Sequence, residues 1–286
     1  MTGISERAVR LPDPRLRPYV RSYDGYRMAD FPAGTHIGMP STDLTVIITI
    51  DEPIHMGSSP HPDQGAGSWD ALASGLTSTP CTIVHNGSQH GIQLALTPLG
   101  SRVLLGVPTA AIGSWLVGLD EILGSAALEL RERITGLPSW ELRFDVLDEV
   151  FLRRVAALRD DVTLDAPLER AWQLLTSDAG SMRVAEVADD IGWSRRHLVN
   201  RFAGEFGITP KDAARIARFS ASHQLMRRVE LPSIAEISAV CGYYDQAHMA
   251  RDWRELAGMP PSRWRAAETF AFVQDEDVDR VPHLSA

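Results

Sequence analysis

The chain has 286 residues, of which 44% are hydrophobic and 23% charged, as in folded globular proteins. This composition excludes a collagen-like, low-complexity or wholly disordered chain. At about 100 to 200 residues per domain, the length predicts two domains. The formal net charge of -9 at pH 7 would argue against a nucleic-acid partner if the charge were spread evenly.

The charge is not spread evenly. Residues 167–268 hold 14 basic and 13 acidic residues, whereas the rest of the chain holds 14 basic and 24 acidic ones. The acidic excess therefore lies outside 167–268, partly in a predicted acidic tail at 269–286. All basic residues except Lys211 are arginine, which favours forked contacts with phosphates and bases.

No apolar run reaches the roughly 18 residues of a membrane span, and the polar start MTGISERAVR lacks the apolar core of a signal peptide. We therefore expect a cytoplasmic protein. Cys81 and Cys241 form no CxxC pair, which predicts neither a disulfide framework nor a cysteine zinc site. Each is expected to be a small buried residue.

Residues 1 to about 115 have the pattern of β-strands. Short apolar runs such as 44–50 and 91–97 are separated by Gly and Pro, and the stretch 57–67 has the composition of a loop. From residue 119 to 158 the apolar spacing changes to three and four, which predicts a helical hairpin broken at 136–138.

The second helix of this hairpin carries one apolar stripe, made of Phe144, Leu147, Phe151, Val155 and Leu158. Such a stripe packs either on a second subunit or on the chain's own core, and the sequence does not decide between them. The polar stretch DDVTLDAP at 160–167 predicts a linker between two domains.

The chain beyond residue 167 contains an internal repeat. AEVA at 185–188 is echoed by AEIS at 235–238, and the Gly-Trp pair at 192–193 by Gly-Tyr at 242–243. After a slip of one residue in the turn, Leu198, Phe202, Gly207 and Pro210 return as Met249, Trp253, Gly258 and Pro261. Each copy predicts a short helix, a glycine turn and a second helix of about ten residues, which is a helix-turn-helix.

Capping residues support these boundaries. The predicted N-caps are Ser194, Thr209, Ser233 and Asp245, and Ser233 forms a capping box with Glu236. A helix starting at Pro210 and running to about Val229 joins the copies. At 1.5 Å per residue it spans about 30 Å, close to the roughly 34 Å of one DNA turn, so the second helices are predicted to enter successive major grooves.

The second helix of each copy has an inward pair, Leu198 with Phe202 and Met249 with Trp253, and an opposite outward face. Arginine can fork onto guanine, Asn and Gln onto adenine, and Ala or Val can meet a thymine methyl. The residues predicted to contact bases are therefore Arg196, Val199, Asn200, Gln246, Ala247, Ala250 and Arg251, and those predicted to contact phosphates are Arg195 and Arg201. A merely solvated arginine face is the alternative, which the in-phase repetition disfavours.

These motifs resemble a known family. GWSRRHLVNRFAGEFGITP at 192–210 and SIAEISAVCGYYDQAHMARDWRELAGMPPSRWR at 233–265 are similar to the two units of the DNA-binding domain of AraC/XylS transcription regulators. The resemblance implies double-stranded DNA as partner and base contacts from the outward faces, with RNA polymerase and a second copy as candidate partners. Arg201, Asn200 and Trp253 depart from the family, where apolar, arginine and phenylalanine residues are usual.

The resemblance also implies an N-terminal cupin-like β-barrel that binds a small effector. The histidines there are His36, His55, His61, His85 and His90. They lack the cupin metal pattern, and His85 and His90 flank an Asn-Gly turn with no carboxylate near in the sequence. We therefore predict no metal site, no cofactor and no catalytic residue, while the effector-binding residues stay unknown.

The predicted fold class is α+β, with a cupin-like β-barrel and helical hairpin in 1–160 and an all-α double helix-turn-helix domain in 167–268. The predicted function is a sequence-specific DNA-binding transcription regulator, an activator or a repressor but not an enzyme, controlled by a small effector in the barrel. One alternative is control by protein contacts, which a barrel filled by its own side chains would favour. The other is a metal-dependent barrel enzyme with a DNA-binding tail.

Overall fold

A computed structural model describes residues 3–158, 162–228 and 232–267. Its first part is built from strands and its second part from helices. The strands are β1 (Ile4–Arg10), β2 (Val20–Ala29), β3 (Gly34–Gly38), β4 (Leu44–Thr49), β5 (Ile54–Ser58), β6 (Gly67–Trp69), β7 (Ala71–Ser74), β8 (Cys81–His85), β9 (Gln89–Leu96) and β10 (Leu116–Gly118).

The strands pair antiparallel into two sheets. One has the order β1-β2-β9-β4-β7-β10 and the other the order β3-β8-β5-β6. Within the described residues neither strand order closes on itself, so the prediction of a β-barrel is wrong at the level of strand pairing, and the cupin-like character is not confirmed. The alternation of apolar residues predicts strands, but it does not tell which strand edges pair. The mixed fold with sheets first and helices second is confirmed.

Strand β4 is covered on both faces. Ile47 belongs to a small apolar cluster with residues of the second sheet, including Met56 and Ile83. Val46 and Ile48, on the opposite face of the strand, belong to the main core that the helices share. Successive side chains of a strand point to opposite faces, so the unbroken apolar run of β4 fits its place between the second sheet and the helices.

Five helices follow within the N-terminal part, with one turn of π-helix after the first. The helices are α1 (Pro98–Gly100), α2 (Thr109–Ile112), α3 (Leu119–Leu123), α4 (Ser125–Thr135) and α5 (Trp140–Ala157), and the π-helical turn is Ser101–Leu105. The helix expected from residue 119 is broken at Gly124, whose φ of 61° interrupts it. Helices α4 and α5 form the expected hairpin.

The apolar stripe of α5 packs on the chain's own core. Phe144, Leu147 and Phe151 are buried, and the Phe144 ring stacks on Tyr23 of β2 with 5.7 Å between centroids. Only the end of the stripe is open, because Leu158 is 38% exposed. Of the two readings left open by the sequence, the structure therefore supports packing within the chain.

The C-terminal part consists of helices: α6 (Ala166–Thr176), α7 (Val184–Asp190), α8 (Arg195–Phe206), α9 (Pro210–Met226), α10 (Ile234–Val240), α11 (Gln246–Ala257) and α12 (Pro261–Ala267). Helix α9 ends at Met226, so its 17 residues span roughly 25 Å rather than 30 Å. The described residues do not include Val229, the predicted acidic tail or part of the predicted linker at 160–167. Pro167, at the end of that linker, lies in the first turn of α6. No helix in the described ranges combines the length and apolarity that a membrane crossing requires.

Candidate nucleic-acid interface

Helices α7 and α8 form the first helix-turn-helix. Gly192 makes the turn with a φ of 71°, a left-handed conformation that glycine adopts without steric cost. The Trp193 N–H then donates to the Ala188 carbonyl at 2.9 Å, and the Ser194 hydroxyl caps α8 by accepting from the His197 N–H at 3.2 Å. The turn and the predicted N-cap are thus confirmed.

Helices α10 and α11 repeat this geometry. Gly242 also has a φ of 71°, and the Tyr243 N–H donates to the Ser238 carbonyl at 2.9 Å. Asp245 caps α11 by accepting from the His248 N–H at 2.6 Å. The capping box of Ser233 is present, with bonds of 2.7 and 3.2 Å to Glu236. The predicted repeat is therefore a repeat of structure.

The inward pairs pack the second helix of each unit, α8 or α11, against a neighbouring helix. Leu198, Phe202, Met249 and Trp253 are all fully buried, as predicted. The Phe202 ring stacks on Trp172 of α6 with 5.8 Å between centroids. Trp253 packs edge-on against Phe219 of α9 at 5.0 Å, and its Nε1 donates to the Ser222 hydroxyl at 2.9 Å. Tryptophan at the family's phenylalanine position thus gains a hydrogen bond.

The residues predicted to contact bases and phosphates lie on one open face of each helix. On α8 the exposed members are Arg195, Arg196, Val199, Asn200 and Arg201. On α11 they are Gln246, Ala247 and Arg251, while Ala250 is half-buried. The structure brings each set together on its helix, and contact with DNA stays a prediction for every one of them.

One predicted position, that of Arg201, has a different environment in the two units. Arg201 on α8 forms an ion pair of 3.0 Å with Asp165, and both side chains are largely exposed. Its counterpart on α11 is Asp252, which is buried and accepts from Arg215 of α9 at 2.8 Å. The exposed pair contributes little stability, so Arg201 can exchange Asp165 for a phosphate, whereas Asp252 holds α11 on α9.

A buried histidine completes the core of the second unit. His223 of α9 lies between the rings of Phe219, Trp253 and Trp264. Burial, together with the smaller effect of the positive charge of Arg227, lowers the pKa of His223 to about 3. The folded unit therefore holds this ring neutral.

The sequence did not predict that α8 also contacts the N-terminal part. Arg102, in the π-helical turn, donates from Nε and Nη2 to the Glu205 carboxylate, both at 2.6 Å. The Thr109 hydroxyl donates to the Glu205 backbone carbonyl at 2.9 Å. Gly207, which ends α8, lies against α2, since a Cβ built on it would be 3.1 Å from the Ala110 Cα.

The structure places a carboxylate beside one histidine that the neighbouring sequence did not show. His90 does have a carboxylate beside it, because Asp51 Oδ2 lies 2.8 Å from its Nδ1. Its Nε2 is 3.3 Å from Nη1 of Arg143, and since a guanidinium only donates, the ring proton lies on Nδ1 and points to Asp51. Asp51 is 39 positions away, so sequence neighbourhood could not reveal it. In the described residues no three His, Cys, Asp or Glu side chains are placed to share a metal ion.

The cysteines have the expected character. Cys241 is buried and Cys81 is half-buried, and neither forms a disulfide. Burial raises the pKa of both thiols to about 11, which keeps them protonated at neutral pH.

The space between the two sheets is filled by the small apolar cluster, whose members are Ile47, Ile54, Met56, Leu72, Ile83 and Leu116. A groove of about 310 Å³ lies elsewhere, among β6, β7, α3 and α4. Its rim carries Asp120, Glu121 and an ion pair of 3.0 Å between Arg131 and Asp70. This groove is open to solvent and has both polar and apolar lining residues, the latter including Trp69 and Leu128.

Comparison with known proteins agrees with this geometry. Residues 187–267 match the family described as helix-turn-helix domain. The arabinose operon regulatory proteins of Salmonella typhimurium and Escherichia coli are each 25% identical to the chain over 129 residues, which is 44% of the chain. The chain spans less than half the length of these relatives, 46% and 44% respectively.

The fold of most of the chain is similar to solved structures of ToxT from Vibrio cholerae. One of these has a TM-score of 0.52 at 13% identity and covers 86% of this chain and 98% of its own. A second, of ToxT with an unsaturated fatty acid bound, has a TM-score of 0.52 at 12% identity and covers 91% and 98%. At this identity the likeness concerns the fold, and it extends over both the sheets and the helices.

Proposed function

Because residues 187–267 form a helix-turn-helix domain of the AraC type, we propose that the chain is a sequence-specific DNA-binding transcription regulator. The observation that supports this most directly is the repeated geometry: two capped reading helices, each buried on one side and open on the other. A single exposed arginine cluster would not need matched caps, matched turn glycines and matched inward pairs in two copies.

In the proposed complex, α8 and α11 occupy adjacent major grooves on one side of the duplex. Arg196 and Arg251 read guanine, and Asn200 and Gln246 read adenine, because these side chains pair with those base edges in two hydrogen bonds. Arg195 and Arg201 contact phosphates and set the position of the protein on the duplex. Helix α9 joins the units and keeps their spacing.

Selection of duplexes from a random-sequence pool by the purified full chain tests this proposal. The expected result is an enriched motif with two conserved blocks whose centres lie about 10 base pairs apart, one helical turn. Recovery of unenriched sequences, or of one short block only, would contradict DNA recognition by both helix-turn-helix units.

Control by a small effector in the N-terminal part, proposed as the region 1–160, is the finer part of the proposal. The fatty-acid complex of ToxT, a protein of similar fold, supports it. Against it stands the apolar cluster between the sheets, which an effector placed there would have to displace. This filling favours the second candidate, control through contacts with another protein. RNA polymerase and a second copy of the chain are the proposed partners of this kind.

Fractions of a cell extract distinguish control by a small effector from control by protein contacts. DNA affinity of the purified chain is measured after addition of either the small-molecule filtrate or the retained macromolecules. A shift caused by the filtrate supports an effector, and a shift caused only by the retained fraction supports protein contacts. The metal-dependent enzyme is not proposed, because the matched relatives are operon regulators; stoichiometric metal in the purified chain would reopen it.

A further inference from the structure

The two helix-turn-helix units differ by one inserted residue. The turn residues Trp193, which is half-buried, and Tyr243, which is buried, are 50 positions apart and make equivalent backbone bonds. The N-caps Ser194 and Asp245 are instead 51 positions apart. The inserted residue is therefore Tyr244. Its side chain is 93% exposed, while that of its neighbour Tyr243 is buried.

The backbone around Tyr244 is held in place. The Tyr243 ring is buried in the unit's core, and the Tyr244 N–H donates to His248 Nδ1 at 3.2 Å. On the other side, Asp245 accepts from the His248 N–H. Because both neighbouring residues are held in the unit, the Cα of Tyr244 has a fixed position, two residues before the outward residue Gln246.

The second unit lacks the arginines that the first offers to phosphates. Helix α8 begins with Arg195 and Arg196, and the same positions of α11 hold Gln246 and Ala247. The counterpart of Arg201 is Asp252, which is engaged with Arg215. The first turn of α11 therefore has no arginine or lysine, and its polar side chains are the exposed Gln246 amide and the half-buried His248, with the exposed Tyr244 hydroxyl just before the helix.

We propose that the Tyr244 hydroxyl donates a hydrogen bond to a phosphate of the bound DNA and so positions α11 in its groove. This inference rests on the proposed function. Tyrosine is among the side chains that contact phosphates, and such contacts set register without reading sequence. A neutral hydroxyl replaces no condensed counterion, so Tyr244 adds affinity without adding to the salt dependence, unlike the arginines of the first unit.

The test uses a duplex selected by the wild-type chain and an unrelated duplex of equal length, with binding measured over a series of salt concentrations. We expect Tyr244→Phe to weaken binding to both duplexes about three- to tenfold with an unchanged salt slope. Arg195→Ala should instead reduce the slope by about one. Val240→Ala, at a 74% exposed residue of the same unit, is the matched control and should bind like wild type.

Three outcomes would overturn the inference. Wild-type affinity of Tyr244→Phe would show that the hydroxyl makes no contact, and a loss confined to the selected duplex would show base reading instead. Unchanged DNA affinity with reduced transcription by added RNA polymerase would assign Tyr244 to a protein surface. If the wild-type chain selects no DNA sequence, the proposed function is refuted. If the wild-type chain selects a sequence and Tyr244→Phe binds it with wild-type affinity, only this inference is refuted.

Discussion

Arg102 and Glu205 form a two-pronged ion pair between the N-terminal part and the first reading helix. The Nε and Nη2 atoms of Arg102 each lie 2.6 Å from one carboxylate oxygen of Glu205, and the Glu205 side chain is only 12% exposed. The hydrogen bonds to Glu205 raise the pKa of Arg102 above its usual value. Because Glu205 lies near the end of α8, this pair joins the sheets to the helix that we propose to read DNA.

Replacing Arg102 by Ala should lower the free energy of unfolding by about 1 to 3 kcal/mol, because it leaves a largely buried carboxylate without its donor. Urea denaturation at neutral pH measures the change. Arg15→Ala is the control, since its pair with Asp13 is local and exposed, and it should have a much smaller effect. Equal effects would mean that the Arg102 pair adds nothing beyond a surface contact.

Gly207 and Gly258 allow the packing of α8 on α2 to be measured separately from backbone strain. Both end a reading helix with a positive φ, 77° and 71°, so alanine at either position pays a similar conformational cost. Only at Gly207 does the added Cβ meet another element, the Ala110 backbone, whereas nothing lies within 4 Å at Gly258. Gly207→Ala should therefore lose more stability in thermal unfolding than Gly258→Ala. A larger loss at Gly258 would argue against the contact.

The neutral His223 predicts a loss of stability in acid. Its pKa of about 3 in the folded chain lies below the ordinary value of 6.5, so between these values the unfolded chain binds a proton that the folded chain does not. The contribution is complete above about pH 6.5 and declines as the pH falls toward 3. His223→Phe should flatten the pH dependence of urea unfolding in this window, and His55→Phe, at an exposed ring, should not. Parallel profiles for wild type and His223→Phe would refute the assignment.

Met249 tests which side of α11 faces inward. Met249→Asp would bury an unpaired carboxylate in the core of the second unit, at a cost of roughly 3 kcal/mol or more, and should abolish its cooperative unfolding. The same change at Ala247, two positions away on the exposed face, should leave the melting curve nearly unchanged. Circular dichroism during heating distinguishes the two variants. A normally melting Met249→Asp would mean that the faces are reversed.

The parts of the fold predictable from sequence are those fixed by near neighbours. The N-caps Ser194 and Asp245, the turn glycines and the inward pair of each reading helix depend on residues within about one helical turn, so local pattern specifies them. The Asp51 contact of His90 and the Arg102 contact of α8 join residues 39 and 103 positions apart. The strand order also joins strands that are not consecutive in the sequence, such as β2 with β9. Such pairings depend on how sheets and helices pack, which periodicity does not encode.

The candidate site was predictable to the same extent. Periodicity placed the predicted outward residues of α8 and α11 at exposed positions, apart from the half-buried Ala250, because burial of one helix face defines the other. It could not show that Arg201 is engaged by Asp165, nor that the one-residue slip produces the exposed Tyr244. The first depends on a contact across 36 positions, and the second on which of the two adjacent tyrosines of the turn is buried.

Arg251 is the only arginine among the base-contacting residues predicted on α11, so it offers the sharpest test of base reading. Replacing Arg251 by Ala should cost about 1 to 3 kcal/mol on the selected duplex and relax the preference at one base position. Affinity for an unrelated duplex should fall much less, because a lost base contact acts on the matched sequence. Binding to a set of duplexes, each with one base pair changed, measures the preference at each position.

Arg254→Ala, at an exposed arginine nearer the end of the same helix, is the charge-matched control. A uniform loss over all duplexes would move Arg251 from the bases to the phosphates.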